Sequence, residues 1–146
     1  MRIHIREASA DDAEALAELA TQWGYPSQPE EISQRLRCMV SETNQVFVAS
    51  VGADVVGWVH VSLYPTLATD NAAQILGLVV HEEWRGQGIG RVLMQAAEAW
   101  ALESDCRTMY VRTRITRHDA HAFYRQLGYQ QVKTSLTFTK SLDREE

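Results

Sequence analysis

Arg85, Gly86, Gln87, Gly88, Ile89, Gly90 and Arg91 are the residues of this 146-residue chain whose types and spacing bear most directly on chemistry. Three alternating glycines remove every Cβ that would stand in the way of an anion. Successive backbone N–H groups can then converge on one phosphate at the mouth of a helix. The helix dipole adds roughly half a positive charge at the same place. The chain carries a formal net charge of −5, so a polyanion would be held by this local potential and not by global attraction. Two phosphate loops are excluded by the spacing. A dinucleotide fingerprint would put its third glycine where Arg91 stands, and a nucleoside triphosphate loop would need Lys and then Ser or Thr where Arg91 and Val92 follow Gly90. A glycine-rich turn that merely ends a strand is the competing reading. The flanks weigh against it, with an apolar strand-like run over 75–80 before the turn and an amphipathic helical pattern over 89–102 after it.

With Arg85, Gly88 and Gly90 at its named places, the turn resembles the Arg-x-x-Gly-x-Gly pyrophosphate loop of the GNAT superfamily of acyl-CoA-dependent N-acyltransferases. Farther along, Ala120, Phe123, Tyr124, Gly128 and Tyr129 resemble the Ala-x-x-Phe-Tyr-x-x-x-Gly-[Phe/Tyr] helix of the same superfamily. The resemblance implies acetyl-CoA as co-substrate. It implies that Arg85, Gly86, Gln87, Gly88, Ile89, Gly90 and Arg91 surround the pyrophosphate. It also implies that Leu78, Val79 and Val80 hydrogen-bond the pantetheine, with a backbone N–H there for the developing oxyanion, and that Tyr124 lies beside the cofactor sulfur. Phe123 is read as a core residue. Core packing is the alternative for Tyr124. A tyrosine suits the implied place, because collapse of the tetrahedral adduct of amine and thioester expels a thiolate. A phenol of pKa about 10 can protonate it while staying neutral at pH 7.

The chain departs from the family pattern in two places. Deprotonating an alkyl ammonium of pKa about 10.4 costs roughly 4 to 5 kcal/mol at pH 7, and many relatives keep a glutamate on the fourth strand. The matching stretch, Ala73 to Leu78, has no carboxylate. His81, Glu82 and Glu83 are either bases acting through water or solvated loop charges, His60, His118 and His121 stand equally open, and no base is assigned. Arg117 occupies a position where many relatives have an asparagine near the pantetheine arm. It replaces that contact, reaches the phosphates or faces the substrate. Arg112, Arg114 and Arg117 form either a solvated face or a receptor for a carboxylate-bearing acceptor. The acidic run from Asp11 to Glu18 reads first as the wet side of a helix, with attraction of a polycationic amine as the alternative. Trp23, Tyr25, Trp58 and Tyr64 are candidates for an acceptor pocket, while Trp84 and Trp100 suit packing.

These groups need a scaffold, and the periodicities supply one. Residues 2–6 alternate as a strand, Ser9 to Asp12 read as a capping box, and 13–20 continue as a helix that 23–26 break. Pro29 opens a second helix with Ile32, Leu36 and Met39 or Val40 on one face. Residues 46–51 and 55–63 predict a hairpin, and 75–80 a central strand buried on both faces. Residues 107–113 predict a strand, 118–127 a helix stopped by Gly128, 129–139 a last extended segment, and 143–146 a frayed charged tail. The expected class is α/β (α+β): a mixed, mostly antiparallel twisted sheet flanked by about four helices, as in the GNAT fold.

Length predicts one domain spanning 1–146. Apolar content of 45% and charged content of 23% are those of a globular protein. No apolar run approaches the roughly 20 residues of a membrane span, and the first residues lack a signal-peptide pattern, so a cytoplasmic protein is expected. Cys38 and Cys106 have neither metal nor redox spacing, and no metal site is expected. The functional expectation is an N-acetyltransferase moving an acetyl group from acetyl-CoA to a primary amine of a small molecule, peptide or protein, by direct attack in a ternary complex. A non-catalytic acyl-CoA-binding or sensing domain is the alternative, and retention of Tyr124 argues against it. Nucleic acid and membrane are not expected as partners, for want of a basic stripe or stacking platform. A homodimer is a further expectation from the resemblance.

Overall fold

The computed structural model describes residues 1–144. Its contacts divide the chain into two compact units, Met1–Arg112 and Thr113–Glu146. In the first unit the elements run β1 (His4–Glu7), α1 (Ala13–Gln22), α2 (Pro29–Met39), β2 (Asn44–Val51), β3 (Asp54–Leu63), β4 (Ala72–Val80), α3 (Ile89–Glu103) and β5 (Thr108–Val111). The strands form one sheet in the order β1-β2-β3-β4-β5. Neighbours are antiparallel except β4 and β5, which are parallel. The expected mixed, mostly antiparallel sheet is present. The second unit contributes α4 (His118–Gln126), stopped as expected by Gly128, whose N–H donates to the Arg125 carbonyl.

Both faces of the sheet are covered. On one, Leu16 of α1 and Leu36 of α2 pack with Val46 and Val48 of β2, joined by Ile32, Met39 and Trp58. On the other lies α3, whose Ile89, Leu93, Met94, Ala97 and Ala101 are buried, as their helical spacing dictates. Gly57 of β3 lets α3 approach, since a Cβ there would stand 3.1 Å from Leu93. The entry to α1 is held by Asp12, which is 5% exposed. Its carboxylate accepts two hydrogen bonds of 2.8 Å from the Arg6 guanidinium and one of 2.8 Å from the Ser9 N–H. Asp12 therefore belongs to a part-buried ion pair and not to the solvated side of the acidic run. No helix among the described residues is long and apolar enough to cross a membrane.

Three expectations need correction. The run 75–80 is not buried on both faces throughout, since Leu76 is 47% exposed. β4 begins at Ala72, three residues before the apolar run, because Ala73 and Gln74 are drawn into ladders with Leu63 and Ser62 of β3 and with Met109 and Tyr110 of β5. The segment 129–139 forms no strand. Its alternation is real, yet a strand exists only where a neighbour supplies hydrogen bonds, and among the described residues none does. Of the charged tail 143–146, positions 145 and 146 lie outside the described residues.

Candidate functional site

The glycine turn sits where the strand and helix patterns place it, between the end of β4 and the start of α3. Gly86 (φ +79°) and Gly88 (φ +85°) adopt the left-handed conformation that side-chain-bearing residues resist. Gly88 is the N-cap of α3 and offers no side chain to cap it, and no carboxylate lies in the first turn. Among the described residues the start of α3 thus has no side-chain cap, as an anion site needs. Ile89 is 1% exposed and anchors the turn, while Arg85, Gln87 and Arg91 are exposed. Arg85 Nε donates to the Val80 carbonyl at 3.3 Å, tying this arginine to the strand end. A Cβ on Gly86 or Gly88 would meet open space. Room, uncapped amides and two exposed guanidiniums fit a pyrophosphate.

The second feature is the edge of β4. β5 pairs only with Ala72–Ile75, so the ladder on that side stops while β4 runs on to Val80. Among the described residues, the backbone from Leu76 to Val80, including Leu78, Val79 and Val80, has no strand partner on the β5 side. An extended amide-bearing chain can hydrogen-bond to such an edge. At the same level β4 is irregular against β3: His60 faces Gly77 and Val61 faces Ile75, leaving Leu76 as the extra residue of a bulge. Bulges bend a strand and re-aim the residues beyond them.

On the sheet face covered by α1 and α2, Trp58 of β3 lies across Gly77. A Cβ at Gly77 would stand 2.7 Å from the indole carbons Cη2 and Cζ3, so only glycine accommodates the ring. Trp23, just past α1, meets Trp58 edge-on with centroids 5.8 Å apart, and the Tyr25 ring lies tilted against Trp23 at 4.5 Å. Trp58 Nε1 is buried with no hydrogen-bond partner among the described residues. His60, two residues along the same strand, is half-buried and hydrogen-bonded through Nε2 to Asn44 Oδ1 at 2.9 Å. Burial lowers its pKa, favouring the neutral imidazole. Three of the four aromatic candidates thus come together. Tyr64 does not: it meets Tyr110 at 6.0 Å and Arg112, whose guanidinium lies 5.0 Å from its ring centroid. Arg112 also donates to Gln74 Oε1 at 2.6 Å, so it is engaged and not a free cation. His81 is occupied too, its Nδ1 accepting from the Glu83 N–H.

In the second unit, Tyr124 on α4 is half-buried between Phe123 (5.2 Å) and Tyr129 (5.9 Å). Burial pushes its phenol above the ordinary range, with the Arg117 charge pulling the other way. The hydroxyl therefore stays protonated at neutral pH, as a proton donor must. Arg117 is the N-cap of α4, exposed, and pairs with Asp119 at 3.5 Å. His121 hydrogen-bonds the Arg114 carbonyl and stacks edge-on with His118. Among the described residues no group of three or more His, Cys, Asp or Glu is placed to hold a metal ion. Cys38 is exposed and Cys106 buried.

The role of Gly77 escaped sequence reading. Its signal was a glycine inside a strand pattern, which marks a bulge or a close approach. The bond between Gln74 and Arg112 had no signal, because nothing local links residues 38 positions apart.

The profile of the acetyltransferase (GNAT) family matches residues 11–129. The chain is 26% identical over 144 residues to an aminoglycoside N(6')-acetyltransferase type 1 of Stenotrophomonas maltophilia, covering 95% of this chain and 94% of that protein. Among solved structures it resembles a transcriptional regulator from Bacillus halodurans C-125, with 29% identity, 95% and 100% coverage and a TM-score of 0.82. It also resembles AAC(6')-Iy in complex with the bisubstrate analog CoA-S-monomethyl-acetylneamine, with 17% identity, 97% and 100% coverage and a TM-score of 0.83. The last likeness is one of fold.

Proposed function

Because the chain belongs to the acetyltransferase (GNAT) family and is an acyltransferase, we propose that it transfers the acetyl group of acetyl-CoA to a primary amine of a small polycationic amino sugar, by direct attack in a ternary complex. The observation that carries the reading is the uncapped glycine turn at the start of α3, continuous with the unpaired edge of β4. Acetyl-CoA, when bound, supplies an acetyl thioester. In this reading the amides of Gly86, Gln87, Gly88, Ile89 and Gly90, with Arg85 and Arg91, hold the pyrophosphate. The β4 edge at Leu78, Val79 and Val80 holds the pantetheine and donates an N–H to the carbonyl oxygen. The amine nitrogen forms a bond to the carbonyl carbon, the carbon–sulfur bond breaks, and Tyr124 gives its proton to the departing sulfur. Arg117 contributes charge near the pantetheine arm. The proton of the attacking amine leaves to solvent, with no residue assigned as base. The two compact units act together as one transferase domain, a reading supported by a single family profile that spans both.

The amino-sugar acceptor is supported by the relative that matches 95% of the chain and by the aromatic group on the α1/α2 face. Ring faces suit both an ammonium and the apolar face of a sugar. A cytoplasmic setting, where acetyl-CoA is made available, belongs to the same reading. The test is release of free CoA thiol from acetyl-CoA across aminoglycosides, polyamines, amino acids and peptide N-termini. Turnover on the aminoglycosides supports the proposal. Turnover only on peptides overturns the acceptor, and cofactor binding without turnover on any amine favours the sensing role.

A further inference from the structure

The transfer steps leave one half-buried titratable side chain of the sheet without a role, His60 on β3. The strand register fixes its surroundings. It shares the α1/α2 face with Trp58, two residues earlier on the same strand and hence about 7 Å away. Across the ladders it faces Val46 of β2 and Gly77 of β4. Gly77 brings no side chain to this face, and β4 runs directly on to the unpaired edge at Leu78 to Val80. The imidazole thus stands beside the aromatic group and one strand spacing, about 5 Å, from β4 at the level of that edge.

Two hydrogen bonds fix its tautomer. Asn44 Nδ2 donates to Thr43 Oγ1 at 3.3 Å, which turns Oδ1 toward His60, 2.9 Å from Nε2. A carboxamide oxygen only accepts, so the proton of the neutral ring sits on Nε2 and the lone pair on Nδ1. Nδ1 has no partner among the described residues, yet, unlike Trp58 Nε1, it is not a buried unpartnered atom. Its lone pair is therefore open to solvent. No charge acts on it. The same-face neighbours on β2 and β4, Asn44, Val46, Gln74 and Gly77, are uncharged, and the helix residues packed on this face are apolar. Arg112, just past β5, is engaged by Gln74. Burial is the cause that lowers the pKa of His60 from the ordinary 6.5.

Resting on the transferase reading of the site, we propose that His60 is its general base. The acceptor ammonium sheds one proton to solvent before it attacks. A second must leave once nitrogen is bonded to the carbonyl carbon, where its N–H is far more acidic than in the free ammonium, and Nδ1 takes it. The N–H electron pair stays on nitrogen, an Nδ1–H bond forms, and the imidazolium returns the proton to solvent. The proton taken balances the one that Tyr124 gives to sulfur. A weak base suffices at this stage, and a ring that is neutral at pH 7 is ready for it.

The thiol-release assay on an aminoglycoside, with acetyl-CoA binding by calorimetry, tests it in His60→Gln and His60→Ala. Both variants should bind the cofactor as wild type does and lose about 10² to 10⁴ in kcat. Wild-type kcat should fall as pH drops below the lowered pKa of His60, and this acid limb should be absent in His60→Gln. Free imidazole should raise the turnover of His60→Ala about tenfold or more, which a purely structural loss would not allow. Nitrogen NMR of wild type should show a neutral ring at pH 7 with its hydrogen on Nε2. Undiminished turnover in His60→Gln, or a loss with the acid limb intact and no rescue by imidazole, overturns the proposal and leaves the transferase reading standing. A wild type that binds acetyl-CoA and acetylates none of the amines overturns both. Should the variants fail to fold, the wild-type spectrum decides: hydrogen on Nδ1 at pH 7 overturns the assignment, and a neutral ring with hydrogen on Nε2 supports it.

Discussion

Replacing Gly88 by glutamate tests the reasoning at its centre. The residue is the N-cap of α3 with φ +85°, and a Cβ built there meets nothing within 4 Å. The variant is therefore expected to fold without steric rearrangement. Holding a side-chain-bearing residue in the left-handed region costs about 1–2 kcal/mol, and a carboxylate at a helix N-terminus returns about 0.3–1 kcal/mol. The net loss is about 1 kcal/mol, read as a fall in melting temperature of about 2–4 °C. Binding suffers more. A carboxylate about 5 Å from a phosphate charge, at an effective dielectric of about 20 to 40, repels it by roughly 2–3 kcal/mol. Titration calorimetry with acetyl-CoA should therefore show affinity lowered by about 30- to 150-fold. Gly88→Gln keeps the backbone strain without the charge and should lose less, and added salt should narrow the gap between the two variants. Unchanged affinity in a folded Gly88→Glu protein refutes the assignment of this turn to the pyrophosphate.

The remaining predictions concern the acid, the aromatic face and the Arg6–Asp12 ion pair. Tyr124→Phe should leave cofactor affinity nearly intact in calorimetry and lower turnover by about 10² to 10⁴ in the thiol-release assay; equal turnover removes Tyr124 from the mechanism. Gly77→Ala forces the Trp58 indole to shift, because the new methyl would stand 2.7 Å from it. We expect a stability loss of about 1–3 kcal/mol by denaturant unfolding and a raised KM for the amine at constant cofactor affinity; an unaltered KM separates this aromatic group from the acceptor. Asp12 has its pKa lowered first by the hydrogen bonds from Arg6, against an opposing effect of burial. Its contribution is complete above the unfolded carboxyl pKa of about 3.9 and is lost as pH falls through the lower folded value. Asp12→Asn should then cost about 1–3 kcal/mol at pH 7, tempered by the 39% exposure of the Arg6 side chain. The difference from wild type should vanish at the acid end, and a gap that persists there shows that the cost is one of packing.

Much of this protein is determined locally, and the sequence is enough for that part. The glycine turn, the apolar run before it and the helical spacing of Ile89, Leu93, Met94 and Ala97 depend on residues within a few positions of each other, so the start of α3 and its glycine-rich entry are legible directly. The same holds for the hairpin around Gly52 and for α4 with its Gly128 stop. The features that the sequence alone left open depend on partners far apart along the chain. The early start of β4 comes from the ladders offered by β3 and β5. The free edge at Leu78 to Val80 is set by where β5 stops, and the gathering of Trp23, Tyr25 and Trp58 over Gly77 by the crossing of α1 on the sheet. Asp12 reads locally as the closing residue of a capping box, which the bond from the Ser9 N–H bears out, while its pairing with Arg6 comes only with folding. The segment 129–139 shows the limit most plainly: alternation specifies which residues share a side, but a strand also needs an edge to join, and only tertiary structure provides one.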